Sequence, residues 1–250
     1  MNQAPKTNTA VILAAGEGGR FANREDPKPL IPLLGIPLLE RSVHTLIAAG
    51  IRHIVLVCGY RANEITTFAD DLARRLDVDI HIIRHKGWRE GNGSSTLAAK
   101  SAVNDPFLLV MCDHVFDPEM LRRLIQATPP DDGLILAVDG NLDNPLVDME
   151  DVTRVRRKDC YIAAIGKGID VFDAFDTGAF LCTRGLFTAL SDAIAAQEGS
   201  LSAAVMRLTA ESKAVTLDVS GAFWIDVDDE TALNRAEGTL PRKLRESAIT

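Results

Sequence analysis

The chain has 250 residues, 46% hydrophobic and 25% charged, proportions that describe a globular protein long enough to bury a substantial core. Its 27 basic and 35 acidic residues leave a formal net charge of −8, which excludes a general nucleic-acid binder with a broad basic face. A nucleotide substrate is compatible with that balance, because a few local Lys and Arg residues suffice to hold a triphosphate.

Residues 1–9 are polar and lack the apolar stretch of a signal peptide. No apolar run approaches the ~18 residues a membrane-crossing helix needs. The four cysteines, Cys58, Cys112, Cys160 and Cys182, are widely spaced with no CxxC pair. They read as buried strand cysteines in a reducing cytoplasm, not as a zinc or redox site. The first two-thirds of the chain alternate apolar runs with helical stripes. Residues 10–15, 53–58, 80–83, 107–112 and 134–138 read as buried strands. Between them Leu39, Val43, Leu46 and Ile47 form one helical stripe, opened by Pro37 and stopped by Gly50. Ile65, Phe68, Leu72 and Leu76 form a second, and Asp117-Pro118 opens a third with Leu121, Leu124 and Ile125 inward. Strands apolar on both faces and separated by helices predict a parallel sheet covered on two sides.

After Gly140 the pattern changes. Residues 152–155 and 161–165 predict a hairpin, 179–182 a further strand, Leu201, Val205 and Leu208 a helix, 215–219 a late strand, and 229–235 a last helix. The expected architecture is one Rossmann-like α/β/α three-layer sandwich over 1–239, with a mixed, mainly parallel sheet and a small β-rich lid at about 140–180. Residues 240–250 are expected to be a basic tail, frayed or acting as a tether.

The sharpest local signal is Leu13-Ala14-Ala15-Gly16-Glu17-Gly18-Gly19-Arg20, directly after the first strand. Its glycines allow a sharp turn in which successive N–H groups face an anion. A GxGxxG fingerprint fails at Phe21, and a Walker A loop fails for want of Gly-Lys-Ser/Thr; a merely tight turn stays open for this segment alone. Two carboxylates fit a hard cation: Asp113, at the end of a strand, and Asp226, within Trp224-Ile225-Asp226-Val227-Asp228. Asp113 could otherwise cap a helix, and Asp226 or Asp228 the final one. Glu90-Gly91-Asn92-Gly93-Ser94-Ser95 offers flexible backbone ahead of a helix at 96–103, or simply a serine N-cap. Taken alone, Lys167 reads as a solvated hairpin lysine, Asp176 as a turn residue, and His114 as an ordered neighbour of Asp113.

The glycine loop followed by Lys28-Pro29-Leu30 resembles the sugar-nucleotidyltransferase superfamily, whose signature is L-[AG]-A-G-x-G-x-R, a gap, then K-P-L. The resemblance implies nucleotide contacts from Leu13, Ala14, Ala15, Gly16 and Gly18. It assigns Lys28 to the α-phosphate and its transition-state charge, and Arg20 to the departing phosphates. It gives Gly93 and Ser94 to the base, and Asp113 and Asp226 to Mg²⁺, with W-x-D favouring Asp226 over Asp228. With Glu90–Ser94, Met111–Val115, Ile165-Gly166-Lys167 and Asp176-Thr177-Gly178 added, residues 11–235 resemble the CTP:inositol-1-phosphate cytidylyltransferases. That branch occurs alone or fused to a membrane-embedded CDP-alcohol phosphotransferase. It implies CTP and a phosphorylated alcohol as substrates, Lys167 on the acceptor phosphate and Asp176 on its hydroxyls. Phosphocholine or an aminoalkylphosphonate is the alternative acceptor, but two Trp and two Tyr are few for a choline cage. A non-catalytic nucleotide-binding module is the rival class, against which the two metal carboxylates and Lys28 argue.

Overall fold

The computed structural model describes residues 7–21, 24–104, 106–241 and 244. In chain order the strands and helices are β1 (Thr9–Ala14), β2 (Pro32–Leu33), β3 (Ile36–Pro37), α1 (Leu38–Ala49), β4 (His53–Cys58), α2 (Ala62–Leu76), β5 (Asp79–Arg84) and α3 (Asn92–Ala98). They continue with β6 (Phe107–Met111), β7 (His114–Phe116), α4 (Pro118–Gln126), β8 (Leu134–Asp139), β9 (Arg154–Lys158), β10 (Tyr161–Gly166) and β11 (Ala174–Cys182). The last are α5 (Gly185–Ala195), α6 (Leu201–Ala210), β12 (Ala214–Asp218), β13 (Trp224–Asp226) and α7 (Glu230–Thr239).

Nine strands form one mixed sheet in the order β5-β4-β1-β6-β11-β8-β12-β10-β9. The β5, β4, β1 and β6 strands run parallel, as does β12 beside β8, whereas β11 is antiparallel to both its neighbours. Because strand side chains alternate between faces, the apolar runs feed two cores at once. Ala10, Ile12, Ile54 and Leu56 pack with Leu39 and Val43 of α1, Leu72 of α2 and Leu121 of α4. Val11, Leu13, Val55 and Val57 pack on the other face with Phe187 of α5 and Val205 of α6. The result is a three-layer α/β/α sandwich.

Helix ends follow the local chemistry. Gly50 closes α1 at φ 101°, a conformation a side chain resists, and the Asp117 side chain caps α4 by accepting from Glu119 N at 3.0 Å. The cap of α7 is Asp229, not Asp226 or Asp228. Three expectations shift. The hairpin β9–β10, within the expected lid region, is the far edge of the same sheet, and Arg156 and Lys158, expected in its connecting turn, lie within its edge strand. Charged residues there discourage pairing with another chain. Cys160 sits exposed in the hairpin turn, whereas Cys58, Cys112 and Cys182 are buried. Most of the expected basic tail lies outside the described residues, but Leu244 is buried and its carbonyl accepts from Arg41.

A third, smaller core matters most for function. Phe21, Ile31, Leu33, Leu38, Val115, Ile225, Val227, Leu233 and Leu240 pack together beside the carboxyl end of β6. It fixes the antiparallel pair β7–β13, in which Asp226 stands opposite His114. Residues 112 positions apart in sequence thereby become neighbours.

Candidate active site

A cleft of about 600 Å³ opens at the carboxyl ends of β1 and β6, with a side pocket of about 270 Å³ beneath the glycine loop. Leu13, Ala15 and Gly16 line the cleft, and Leu13, Ala14, Gly16 and Gly18 line the side pocket. Gly18 has two reasons to be glycine. Its φ is +67°, and a Cβ there would stand 2.6 Å from Lys28 Cβ. The loop can therefore lie directly over the lysine, which sits on a short 3₁₀ turn, Lys28–Leu30, with its side chain 11% exposed.

Lys28 Nζ donates to one oxygen of Asp113 and one of Asp228. Burial works against its charge, but Asp113 and Asp228 outweigh burial and raise its pKa further, so the ammonium stays charged across the working pH range. Asp113 follows the end of β6, and its carbonyl accepts from Val227 N at 3.0 Å, which ties it to the strand carrying Asp226. Burial also opposes the Asp113 charge, and Lys28 and His114 hold its carboxyl well below the usual range. His114 lies 3.0 Å from Asp113 and 3.7 Å from Asp226. Burial there is overcome by Asp226 and Asp113, and the imidazole is raised to about 9.

Asp226 is the exception. Its Oδ1 is buried and has no hydrogen-bond partner. Burial, and the repulsion of Asp113 and Asp228 against the pull of His114, push its carboxyl up to about 7. An orphaned carboxylate oxygen is a vacancy for a cation. Asp113, His114 and Asp226 each offer an atom within 4.8 Å of the others. The predicted pair Asp113 and Asp226 therefore fits a hard divalent ion, which prefers one or two carboxylates plus phosphate oxygens.

Three further carboxylates are built into or behind the same place: Asp228, weighed from the sequence but set aside in favour of Asp226, and two that sequence reasoning did not single out. Asp228 accepts from both Lys28 and Arg20. Asp151 accepts from Arg20 at 2.9 Å and from Lys167. Asp139 is 2% exposed and accepts from Trp224 Nε1 at 2.9 Å and Asn144 Nδ2 at 2.8 Å. The bond from Trp224 accounts for the tryptophan of W-x-D: its indole N–H pins β13 to β8. The two-residue period of a strand, Asp226 then Asp228, was the available signal for Asp228. Asp139, ending the apolar strand β8, offered the same strand-end signal as Asp113, and Asp151 none beyond ordinary loop acidity.

Lys167 and Asp176 both line the cleft as well. A β-bulge in β11 between Asp176 and Phe180 lets the strand turn Asp176 and Gly178 toward His114. Burial pushes the Asp176 carboxyl up to about 6, although Gly178 N donates to it at 2.7 Å. Gly178 has φ +80°, and a Cβ there would lie 2.7 Å from the His114 ring. Gly178→Ala is therefore expected to cost about 1–3 kcal/mol of stability in urea unfolding. It is also expected to impair turnover by displacing His114; wild-type values for both would remove the steric argument.

The base-side expectation shifts by one or two positions. Gly93 packs on Gly199, whose carbonyl oxygen would be 2.4 Å from an added Cβ, and Ser94 bonds His85 at 2.9 Å and Glu90 at 3.0 Å. From this segment it is Gly91, Asn92 and Ser95 that line the cleft. Ser95 donates back to the carbonyl of Gly91, the residue before α3, and Thr96 to that of Asn92, so no serine N-cap forms.

The profile of the MobA-like NTP transferase domain matches residues 10–166, from β1 to the end of β10. The chain belongs to the MobA-like NTP transferase family. This NTP transferase domain is 34% identical over 91% of its length to a Rubrobacter xylanophilus protein named "Bifunctional IPC transferase and DIPP synthase". A protein of the same name from Archaeoglobus fulgidus is 30% identical over 94% of the chain. The chain spans 51% and 44% of those two proteins, about half their length. Among solved structures, the inositol-1-phosphate CTP transferase from T. maritima superposes with a TM-score of 0.82. That match covers 98% of this chain and 96% of the other at 22% identity, a likeness of fold. Among the described residues no helix is long and apolar enough to cross a membrane.

Proposed function

We propose that this NTP transferase domain moves CMP from CTP to inositol 1-phosphate, giving CDP-inositol and pyrophosphate. The observation that carries the reading is the convergence of Lys28, Asp113 and Asp226 beside a cleft that Lys167 and Asp176 also line. The names of the long relatives and of the T. maritima structure support the acceptor class. Leu13 to Gly18 would cradle the triphosphate, with Arg20 and Lys28 facing its phosphates. A divalent ion, Mg²⁺ in this proposal, would be held by Asp113 and Asp226 and would supply charge neutralisation at the triphosphate.

An oxygen of the acceptor phosphate attacks the α-phosphorus in line. The new O–P bond forms as the bond to the β-phosphate oxygen breaks, and pyrophosphate leaves with the electron pair. No protein base is required, because a phosphate monoester has a second pKa of about 6 and its attacking oxygen is already anionic near neutrality. The protein's task is to hold two polyanions in contact and to meet the charge that builds between them. The product would serve a CDP-alcohol phosphotransferase, on the same polypeptide or another.

The test is a screen of CTP, UTP, GTP and ATP against phosphorylated alcohols, following pyrophosphate release. CTP with inositol 1-phosphate should give the highest kcat/KM. Asp176→Ala is expected to harm a polyol acceptor and to spare phosphocholine or an aminoalkylphosphonate, because a site built for a hydroxyl rejects analogues lacking it. Lys167→Ala should instead raise KM for every phosphorylated acceptor. Better turnover of 2-aminoethylphosphonate than of inositol 1-phosphate would retain the cytidylyltransferase reading and discard the inositol one.

A further inference from the structure

The floor of the cleft carries one continuous chain of ion pairs. Lys167 and Arg20 share the two oxygens of Asp151, Arg20 also bonds Asp228, and Asp228 bonds Lys28, which bonds Asp113. Three cations therefore face three carboxylates, and no positive charge along the chain is left unmatched for an incoming phosphate. A carboxylate that spans an Arg and a Lys resembles a phosphate group, since both offer several anionic oxygens to the same donors. Something in this chain must give way before a polyanion binds.

The carboxylates are not equally held. Asp113 and Asp228 flank the β7–β13 ladder and the third apolar core, and both also bond the buried Lys28. Asp151 belongs to the succession of turns between β8 and β9, and its own N–H reaches only Asp148 O, at 3.2 Å. Its side-chain partners are exposed, Arg20 by 48% and Lys167 by 58%. Partial burial works against its charge, but Lys167 and Arg20 hold its carboxyl well below the usual range, so it is an anion near neutrality.

We infer that Asp151 is a displaceable internal anion, which occupies the phosphate position between Arg20 and Lys167 and must be expelled when substrate phosphates bind. This rests on the proposed function only for the statement that Arg20 and Lys167 meet phosphates. One consequence is selectivity, since a weakly binding anion cannot displace the carboxylate. The other is coupling between the two substrates. A triphosphate that draws Arg20 away from Asp151 loosens the same carboxylate from Lys167, and so prepares the acceptor-phosphate position before the acceptor arrives.

The experiment measures binding of inorganic pyrophosphate by calorimetry in EDTA, to wild type, Asp151→Asn and Asp70→Asn. Asp70 lies exposed on α2, away from the cleft, and controls for the change in net charge. Exposed ion pairs are individually weak, so Asp151→Asn is expected to bind pyrophosphate about three- to tenfold more tightly, with Asp70→Asn unchanged. A damaged fold would weaken binding, so tightening is not an effect a structural role produces. Equal or weaker binding by Asp151→Asn overturns the inference, as does equal tightening in Asp70→Asn. The outcome is independent of the substrate screen: failure to turn over CTP and inositol 1-phosphate would sink the proposed function and leave the displaceable anion standing.

Discussion

Lys28→Ala is expected to lower kcat by about 10²-fold or more, on the scale of removing one strong charge-stabilising donor from a preorganised site. The geometry makes the expectation specific. Lys28 is the most buried cation of the site, held beneath Gly18 and between Asp113 and Asp228. Its charge is therefore preorganised and costs little reorganisation when the α-phosphate becomes more negative in the transition state. Its loss also removes the cation that Asp113 and Asp228 share, leaving one with His114 and the other with Arg20, so the KM for CTP should rise as well, by a smaller factor. Lys28→Arg keeps the charge, but a planar fork does not fit beneath Gly18, and an intermediate kcat is expected. Steady-state kinetics at saturating acceptor would check all three. A raised KM with wild-type kcat for Lys28→Ala would reduce the lysine to a binding group.

How much of this was legible beforehand depended on the reach of each signal. The strands of both cores announced themselves as runs such as His53–Cys58, because a two-sided sheet demands apolar residues at every position. The first helices declared their ends through Pro37, Gly50 and Asp117, whose backbone chemistry is local. The hairpin partners, by contrast, are settled by tertiary pairing. Nothing in residues 154–166 alone tells whether they cover the cleft or extend the sheet beside β12. The strand β11 looked four residues long because Asp176-Thr177-Gly178 has turn composition; it is a bulge inside a nine-residue strand. Helix α5 was missed because its sequence is apolar nearly all round and shows little periodicity.

The same distinction runs through the site. Gly18, Lys28 and Asp113 belong to short motifs or strand ends, so their chemistry can be read where they stand. Asp151 sits among Asp148 and Glu150 in an acidic loop that any solvated surface would show, and only the fold reveals that it faces Arg20 and Lys167. Gly93 and Ser94 fit the expected pattern of a base-binding loop. The first turn of α3, however, rotates them toward Gly199 and His85 and offers Gly91, Asn92 and Ser95 to the cleft. A helix fixes which neighbours share a face, and a shift of one residue turns a wall into a support.

The second large effect concerns the two proposed metal carboxylates, which should be alike in catalysis and opposite in stability. Asp113→Asn and Asp226→Asn are both expected to reduce turnover to background, as EDTA should for wild type. Their surroundings without metal differ. Asp113 neutralises Lys28 and His114, whose side chains are only 11% and 12% exposed, so removing its charge leaves two buried cations undercompensated. Asp226 has an oxygen without a hydrogen bond, and burial with the repulsion of Asp113 and Asp228 outweighs the pull of His114 at 3.7 Å. Neutralising it relieves that repulsion and lets the amide donate to a neighbouring carboxylate. In EDTA the melting temperature of Asp113→Asn should fall. That of Asp226→Asn should rise by roughly 2–4 °C, the shift that about 1 kcal/mol produces in a domain of this size. Mg²⁺ should raise the melting temperature of wild type and of neither variant, since each lacks one of the two carboxylates that would hold it. Such a pattern is the signature of a residue kept for function against stability. Destabilisation by Asp226→Asn in EDTA would mean that its orphaned oxygen is satisfied in the free protein. A full Mg²⁺ response in that variant would remove Asp226 from the metal site.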